Sequence, residues 1–307
     1  MRLIDTLHTS HFTPTVATIG FFDGVHIGHR YLIDQVKRVA EERLLPSAVI
    51  TFPVHPRKVM QTDYQPALLC GYDEKIMRLG ATGIDFCIPL NFTKEISQMS
   101  AHDFMRDILK KTFAIDALLI GYDHRFGHNR SDGFDEYRQY GLEVGIDVIQ
   151  AKQYEGEYVS SSWIRQLLGE GDVQKAARLL GYNYTITGKI VEGFKVGRTI
   201  GFPTANIQVW ERYKVIPAFG VYAVFAHVDG VRYNAMLYIG KRPTLHNGDN
   251  ISIEVNLFDF DGDLYNKELT AEFLEFVRPD EKFVDIETLR KRIAQDKLDV
   301  QEVLRKY

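Results

Sequence analysis

Val16-Ala17-Thr18-Ile19-Gly20-Phe21-Phe22-Asp23-Gly24-Val25-His26-Ile27-Gly28-His29 decides the first half of the chain. Its opening run, 16–21, is short, apolar and partly β-branched, as a strand buried on both faces reads. Behind the glycine-rich turn, Leu32, Ile33, Val36, Val39 and Ala40 recur at helical spacing. A strand, a glycine-rich turn and a helix in direct succession form the unit whose helix N-terminus offers backbone N–H groups to an anion. Gly20 and Asp23 belong to that turn, and Gly24 and Gly28 lack side chains that would hold a nucleotide at a distance. His26 and His29, three apart at the helix start, can face one ligand. Imidazoles there can donate hydrogen bonds to phosphate oxygens as charge builds in a transition state. The ordinary readings are a plain Asp-Gly turn, solvated histidines, or half of a metal site. No third or fourth ligand stands at useful spacing for the last.

Outward from this unit, 48–52, 84–88, 117–120 and 146–149 read as further strands, with a helix over 100–111 opened by a Ser100/Asp103 cap. Alternating strands and helices predict a parallel sheet covered on both faces, with ligands at the carboxyl ends of the strands. Two short helices are expected over 162–168 and 173–180. The grammar changes near Tyr182. Strands 221–228 and 231–239 flank Asp229-Gly230, a two-residue hairpin signal. Ile251, Ile253, Val255 and Leu257 alternate with Ser252, Glu254 and Asn256. Asp261-Gly262 marks another turn, 269–277 a further strand, and a helix from about Val284 closes the chain. The expected fold is therefore α/β plus β: a Rossmann-like domain with a parallel sheet over 1–182, and a small antiparallel β-barrel with a terminal helix over 183–307. There is no internal repeat.

Composition narrows the function. A chain of 307 residues suits two cores, and 45% hydrophobic with 25% charged residues is ordinary globular usage. A formal net charge of -4 shows no basic footprint, so no nucleic-acid partner is expected. Cys70 and Cys87 make neither a disulfide framework nor a zinc site. Residues 1–11 lack the apolar stretch of a secretory signal, and no run is long enough to span a membrane. The expectation is a cytoplasmic protein without a membrane partner; the sequence does not give its oligomeric state.

A second cluster, Gly193-Phe194-Lys195-Val196-Gly197-Arg198-Thr199-Ile200-Gly201-Phe202-Pro203-Thr204-Ala205-Asn206, puts glycines and cations in a loop, which suits a phosphate cradle. It lacks the Gly-Lys-Ser/Thr end of a P-loop. Thr204 and Asn206 are two apart and face the same way in extended chain. Their hydroxyl and amide carbonyl are hard oxygen ligands, suited to Mg²⁺ shared with a nucleotide. A flexible loop leading into an ordinary strand is the alternative.

The first stretch, Gly20-x-Phe22-Asp23-Gly24-Val25-His26-x-Gly28-His29, resembles the opening motif of bacterial bifunctional riboflavin kinase/FAD synthetases, a variant of the His-x-Gly-His signature of the nucleotidyltransferases. Three other segments are similar to that family: 51–56 with His55, 121–127 with Asp123 and Phe126, and 159–165 with Ser161, Ser162 and Arg165. Gly197-Arg198-Thr199-Ile200-Gly201-Phe202-Pro203-Thr204-Ala205-Asn206 resembles the riboflavin kinase signature, and Asp261-Gly262-Asp263-Leu264-Tyr265 and Ile239-Gly240-Lys241-Arg242-Pro243-Thr244 also match. The resemblance implies phosphorylation of riboflavin to FMN and adenylylation of FMN to FAD, both with Mg-ATP. It makes His26 and His29 stabilisers of the α-phosphorus, with Ser161, Ser162 and Arg165 near ATP. It places Gly193, Lys195, Gly197, Arg198 and Gly201 over the kinase phosphates, and Thr204 and Asn206 at Mg²⁺. It also makes Glu254 the base that the ribityl 5′-hydroxyl needs. Relatives often carry Asn where Tyr238 stands and Phe where His124 stands. Two other readings are a chain with one of the two activities lost, and a flavin carrier without chemistry.

Overall fold

The computed structural model describes residues 1–4, 12–61, 63–64, 67–121, 126–127, 132–192, 201–241 and 251–307. Its contacts gather into two compact units, Met1–Ser160 and Ser161–Tyr307.

In the first unit, β1 (Arg2–Leu3), β2 (Thr15–Ile19), β3 (Ser47–Thr51), β4 (Phe86–Pro89), β5 (Ile115–Ile120) and β6 (Asp147–Gln150) form one sheet. The order is β1-β4-β3-β2-β5-β6 and each pairing is parallel. Helices α1 (Ile27–Arg43), α2 (Pro56–Met60), α3 (Tyr72–Gly80), α4 (Lys94–Gln98), α5 (Ala101–Asp103) and α6 (Phe134–Val144) occupy the connections. Neighbouring strand residues go to opposite cores. Val16, Val49 and Leu119 pack with Ile33, Val36 and Leu79, while Ala17, Ala48 and Leu118 pack with Met105, Leu109 and Tyr137. Burial on both faces explains why these strands read as unbroken apolar runs. The expected cap forms, since Ser100 Oγ accepts the Asp103 N–H at 3.0 Å. Beyond it the helix widens to a π-helix over Phe104–Thr112, and Phe104, Met105 and Leu109 are its buried residues. Chain order reverses at β2, which has β3 on one side and β5 on the other. Such a reversal opens a crevice at the carboxyl ends of those strands, and the Gly20–His29 turn leaves β2 at that end.

The second unit starts with α7 (Ser161–Glu170) and α8 (Val173–Leu180) and ends with α9 (Ile286–Leu304). Between them β7 (Thr185–Val191), β8 (Ala205–Val209), β9 (Gly220–Val228), β10 (Val231–Lys241), β11 (Ile251–Leu257) and β12 (Glu268–Pro279) close a barrel in the order β10-β11-β8-β7-β12-β9. Each described pairing is antiparallel. Asp229 (φ 51) and Gly230 (φ 79) are both left-handed, as a two-residue hairpin needs. One face of the barrel wall carries buried Tyr222, Val224, Leu237, Ile239, Ile253 and Val255. On the other, Val221, Ala223, Phe225 and Met236 lie beneath Val300, Val303 and Leu304 of α9. Arg278 Nε and Nη2 grip Asp296 of that helix, both at 2.7 Å, with the two side chains almost fully buried. Sequence grammar changes near residue 182, whereas contacts divide the chain at 160/161. The two helices between pack on the barrel: Ala218 N–H donates to Leu168 O at 2.9 Å, and Gly171 (φ 87) faces the Phe276 ring.

Candidate functional site

The turn after β2 is backbone-strained and heavily tied. Phe22 (φ 55), Gly24 (φ 77) and Val25 (φ 41) are all left-handed. For a β-branched residue such as Val25 that costs about 1–3 kcal/mol. The surroundings hold it. Asp23 is 4% exposed, and its carboxylate accepts the Leu69 N–H at 3.0 and 3.1 Å and the Cys70 N–H at 3.3 Å. Gly24 N–H points to Cys70 Sγ at 3.1 Å, and Phe22 and Val25 are buried in the core beneath. A Cβ on Gly20 would sit 3.0 Å from the Phe22 ring, and one on Gly28 would press on Val159 and the His26 ring at 3.0 and 3.3 Å. Both glycines thus serve the shape of the turn.

His26 caps α1, its Nδ1 accepting the His29 N–H at 3.3 Å. In the neutral ring this assigns the proton to Nε2. The His29 ring stacks on it, centroids 3.6 Å apart and planes 17° apart, with its edge against Phe22. Burial first, then the neighbouring His26 and Lys75, hold His29 well below the ordinary imidazole value. His29 Nδ1 is buried without a hydrogen-bond partner among the described residues. The two rings thus stand at the positive end of a 17-residue helix, where burial disfavours the charged form of His29. His55 caps α2, accepting the Arg57 N–H at 3.2 Å, and lies edge-on to Phe21. Phe126 stacks on Tyr137 at 4.2 Å, and the Tyr137 hydroxyl binds both its backbone N–H and its carbonyl at 2.9 Å. Asp123 lies outside the described residues. Ser161, Ser162 and Arg165 stand on the first turns of α7, in the second compact unit.

In that second unit, β8 and β11 place Asn206 directly opposite Glu254. Thr204 Oγ1 donates to Glu254 Oε2 at 3.0 Å, and Ser252 Oγ is 3.0 Å from Oε1 and 3.3 Å from Asn206 Oδ1. Asn256 Nδ2 donates to Pro203 O at 2.6 Å, which fixes the entry to β8. The alternate residues Ala205, Ile253 and Val255 turn to the apolar face, so the barrel's period of two concentrates oxygen atoms on its other side. Gly193, Lys195, Gly197 and Arg198 lie outside the described residues; Gly201 follows them with φ 86. Thr204, Asn206 and Glu254 each offer a hard oxygen atom, and a hydroxyl that donates its proton to a carboxylate keeps lone pairs for a cation. That donor set fits Mg²⁺, which binds through few protein oxygens together with phosphates. The same two strands line a cavity of about 420 Å³ with Val191, Ile207, Ile253, Arg212 and Lys214 on its walls.

Two neighbours received no role from the sequence. Tyr238 is paired with Glu254 across β10 and β11 and donates to Asp280 Oδ1 at 2.8 Å; burial, then Asp280, raises its phenol above the ordinary value. Its hydroxyl passes where a Gly240 side chain would stand. Lys75 is the other. Its sequence signal was a lysine four residues before Leu79, on the buried face of α3.

A helix N-terminus beside a parallel-sheet crevice suits an anionic phosphate, and an oxygen-rich barrel wall on the same chain suits its metal ion, the pairing expected of an enzyme that transfers groups from nucleoside triphosphates. Residues 8–163 match the family model of FAD synthetase, and residues 180–304 that of riboflavin kinase. The bifunctional riboflavin kinase/FMN adenylyltransferase of Escherichia coli (strain K12) is 34% identical over 308 residues, covering 98% of this chain and 97% of the relative. That of Bacillus subtilis (strain 168) is 34% identical over 328 residues, with 100% and 98% covered. A crystal structure described as a macrolide-efflux protein from Streptococcus pneumoniae has the same fold, with a TM-score of 0.86, 28% identity and 98% of each chain covered. Among the described residues no helix is long and apolar enough to cross a membrane. The chain belongs to the bifunctional riboflavin kinase/FMN adenylyltransferase family.

Proposed function

We propose that the chain phosphorylates riboflavin to FMN on the barrel and adenylylates FMN to FAD at the β2 crevice, with ATP as the donor in both steps. The observation that carries this reading is the joining, on one chain, of the stacked His26/His29 pair with the Thr204–Glu254–Ser252–Asn206 oxygen cluster. In the first step Glu254 takes the proton of the ribityl 5′-hydroxyl as that oxygen bonds to the γ-phosphorus of ATP, and ADP leaves. Thr204 and Asn206 would hold the magnesium ion of the nucleotide, which supplies charge neutralisation at the phosphates. In the second step an FMN phosphate oxygen bonds to the α-phosphorus of a further ATP and pyrophosphate leaves, without a protein nucleophile. His26 donates from Nε2 and His29 stands beside it, so the two rings polarise the phosphate as charge builds on it. Asp23, Gly20 and Gly28 keep the turn in shape. Asp123 and Phe126 belong to the segment that nucleotide and flavin approach, and Ser161, Ser162 and Arg165 are further nucleotide contacts. His55 joins them, and Gly24 and Gly201 supply left-handed backbone.

Incubation with riboflavin, ATP and Mg²⁺, with flavins separated over time, tests the whole reading. FMN should rise and give way to FAD. His29→Ala should stop at FMN, and Glu254→Ala should leave riboflavin while converting supplied FMN. Tight flavin binding without ATP consumption would support a carrier instead.

A further inference from the structure

We propose that Lys75 is a positioning residue of the adenylyltransferase site, a buried cation that ties the carboxyl ends of β2 and β3 together and keeps positive charge behind the turn that receives the nucleotide's phosphates. The proposal rests on the reading of that turn given above. Lys75 is 2% exposed. Its Nζ donates to Phe21 O at 3.1 Å and to Phe52 O at 2.8 Å, carbonyls that lie just past the ends of the two strands. It also stands 4.0 Å from the centre of the Phe21 ring. Among the described residues no carboxylate forms an ion pair with it. Burying an ammonium group whose direct partners are two carbonyls and a ring, with no carboxylate ion-paired to it, is costly. A methionine would fill the same space without that cost, so packing does not account for the charge.

The placement gives the charge a use. Phe21 precedes the strained Phe22–Val25 stretch, and Asp23 within it is anchored to Leu69 and Cys70, just ahead of α3. The segment 69–75 therefore holds the turn at two points, once through Asp23 and once through Lys75. His29, on α1, feels the lysine's charge directly. Burial pushes the Lys75 ammonium down to about 8, with Cys70, Asp23 and Cys87 partly opposing. Those groups face it from the turn, the loop before α3 and β4; Tyr72 faces it from its own helix and His29 from α1. A bound polyanion favours the protonated lysine, so nucleotide binding and Lys75 protonation are linked. The lysine's charge is present below about pH 8 and is lost as pH rises through it, so nucleotide affinity weakens on the alkaline side.

The test is the KM for ATP in adenylylation of supplied FMN, from about pH 7 to about pH 9.5, for the wild type, Lys75→Met and Lys75→Arg. Riboflavin phosphorylation by the same samples is the internal control. In the wild type KM should rise about tenfold across that range. In Lys75→Met it should be raised about tenfold near neutrality and stay flat, while Lys75→Arg, which keeps its charge, should be flat at a lower KM. The kinase KM should follow one common curve in all three. A purely structural lysine would lower stability and leave the pH slope of KM in place. A wild-type slope surviving in either variant, or a wild-type KM in Lys75→Met, overturns the proposal. If Lys75→Met does not fold, loss of the slope in Lys75→Arg decides. A wild-type protein that makes FMN but never FAD would refute the site reading itself, and the role of Lys75 with it.

Discussion

Replacing Glu254 by glutamine separates its two jobs. The carboxylate accepts two neutral hydroxyls, Thr204 at 3.0 Å and Ser252 at 3.0 Å, and among the described residues it has no cationic partner. Glutamine keeps the shape to within one atom. One hydroxyl can still donate to the amide oxygen, and the other can rotate to accept from the amide nitrogen. Each such hydrogen bond is worth about 1 kcal/mol net, and neither needs to be lost. The scaffold around Thr204 and Asn206 should therefore survive, and with it the KM for ATP. What glutamine cannot do is accept the alcohol's proton. General-base assistance contributes about 10²–10⁴ in rate, or about 2.7–5.5 kcal/mol of barrier. Glu254→Gln should accordingly lower kcat for riboflavin phosphorylation by about 10²–10⁴ with KM for ATP changed less than about threefold. Adenylylation of supplied FMN should be untouched. Glu254→Ala strands both hydroxyls and should raise KM for ATP as well. The assay is steady-state flavin chromatography with each substrate supplied separately. A glutamine variant with more than about a tenth of the wild-type kcat would show that the proton goes elsewhere.

Other perturbations act at a distance from the transferred group. Asp23→Asn puts an amide nitrogen where a carboxylate receives the Leu69 and Cys70 N–H groups; losing one charge-assisted bond is worth about 1.5–3 kcal/mol, so FAD formation should fall about 10–100-fold with the kinase intact, and an unchanged rate would mean the turn does not need this anchor. His29 is held well below its unfolded value near 6.5, so as pH falls through about 6.5 the unfolded chain takes up a proton that the folded ring refuses, and stability drops. Denaturant midpoints at about pH 7.5 and about pH 5.5 should therefore differ less in His29→Gln than in the wild type, and equal differences would contradict the assignment. Asp296→Ala removes the buried carboxylate that binds both Arg278 and Arg292 and leaves Arg278 to the more exposed Glu281 and Asp280; about 3–5 kcal/mol should be lost from the barrel, seen as early denaturant inactivation of the kinase, and a loss below about 1 kcal/mol would show that α9 docks through Val300, Val303 and Leu304 alone.

The fold was legible where local rules and long-range packing agree. The run after Val16 and the helical spacing from Leu32 to Ala40 gave β2 and α1, and Asp229-Gly230 formed the expected hairpin because both residues tolerate positive φ. Strand β1 was not legible: two residues pair with β4 far along the chain, and no pattern of period two fits in two residues. The π-helical stretch from Phe104 keeps an apolar spacing that an α-helix would also show. The packing of α7 and α8 on the barrel depends on Leu168 meeting Ala218 and Gly171 meeting Phe276, contacts with no local trace.

At the sites, residue type and spacing located the clusters but not the division of labour within them. Thr204, Asn206 and Glu254 come together because strand alternation and one register pairing suffice to put them on one face. Asp23 and Lys75 show the limit. Each is a charged residue whose chemistry faces the protein's own backbone, Asp23 toward Leu69 and Cys70, Lys75 toward Phe21 and Phe52. From sequence, a carboxylate in a glycine-rich turn reads as a ligand and a lysine on a short helix reads as solvated. Only the strain of Phe22 and Val25 shows what these groups are for, because a left-handed β-branched residue persists only where neighbours hold it. The residues proposed to meet phosphate are thus ones a motif can name, while what Asp23 anchors, and that Lys75 is there at all, show only in the folded chain.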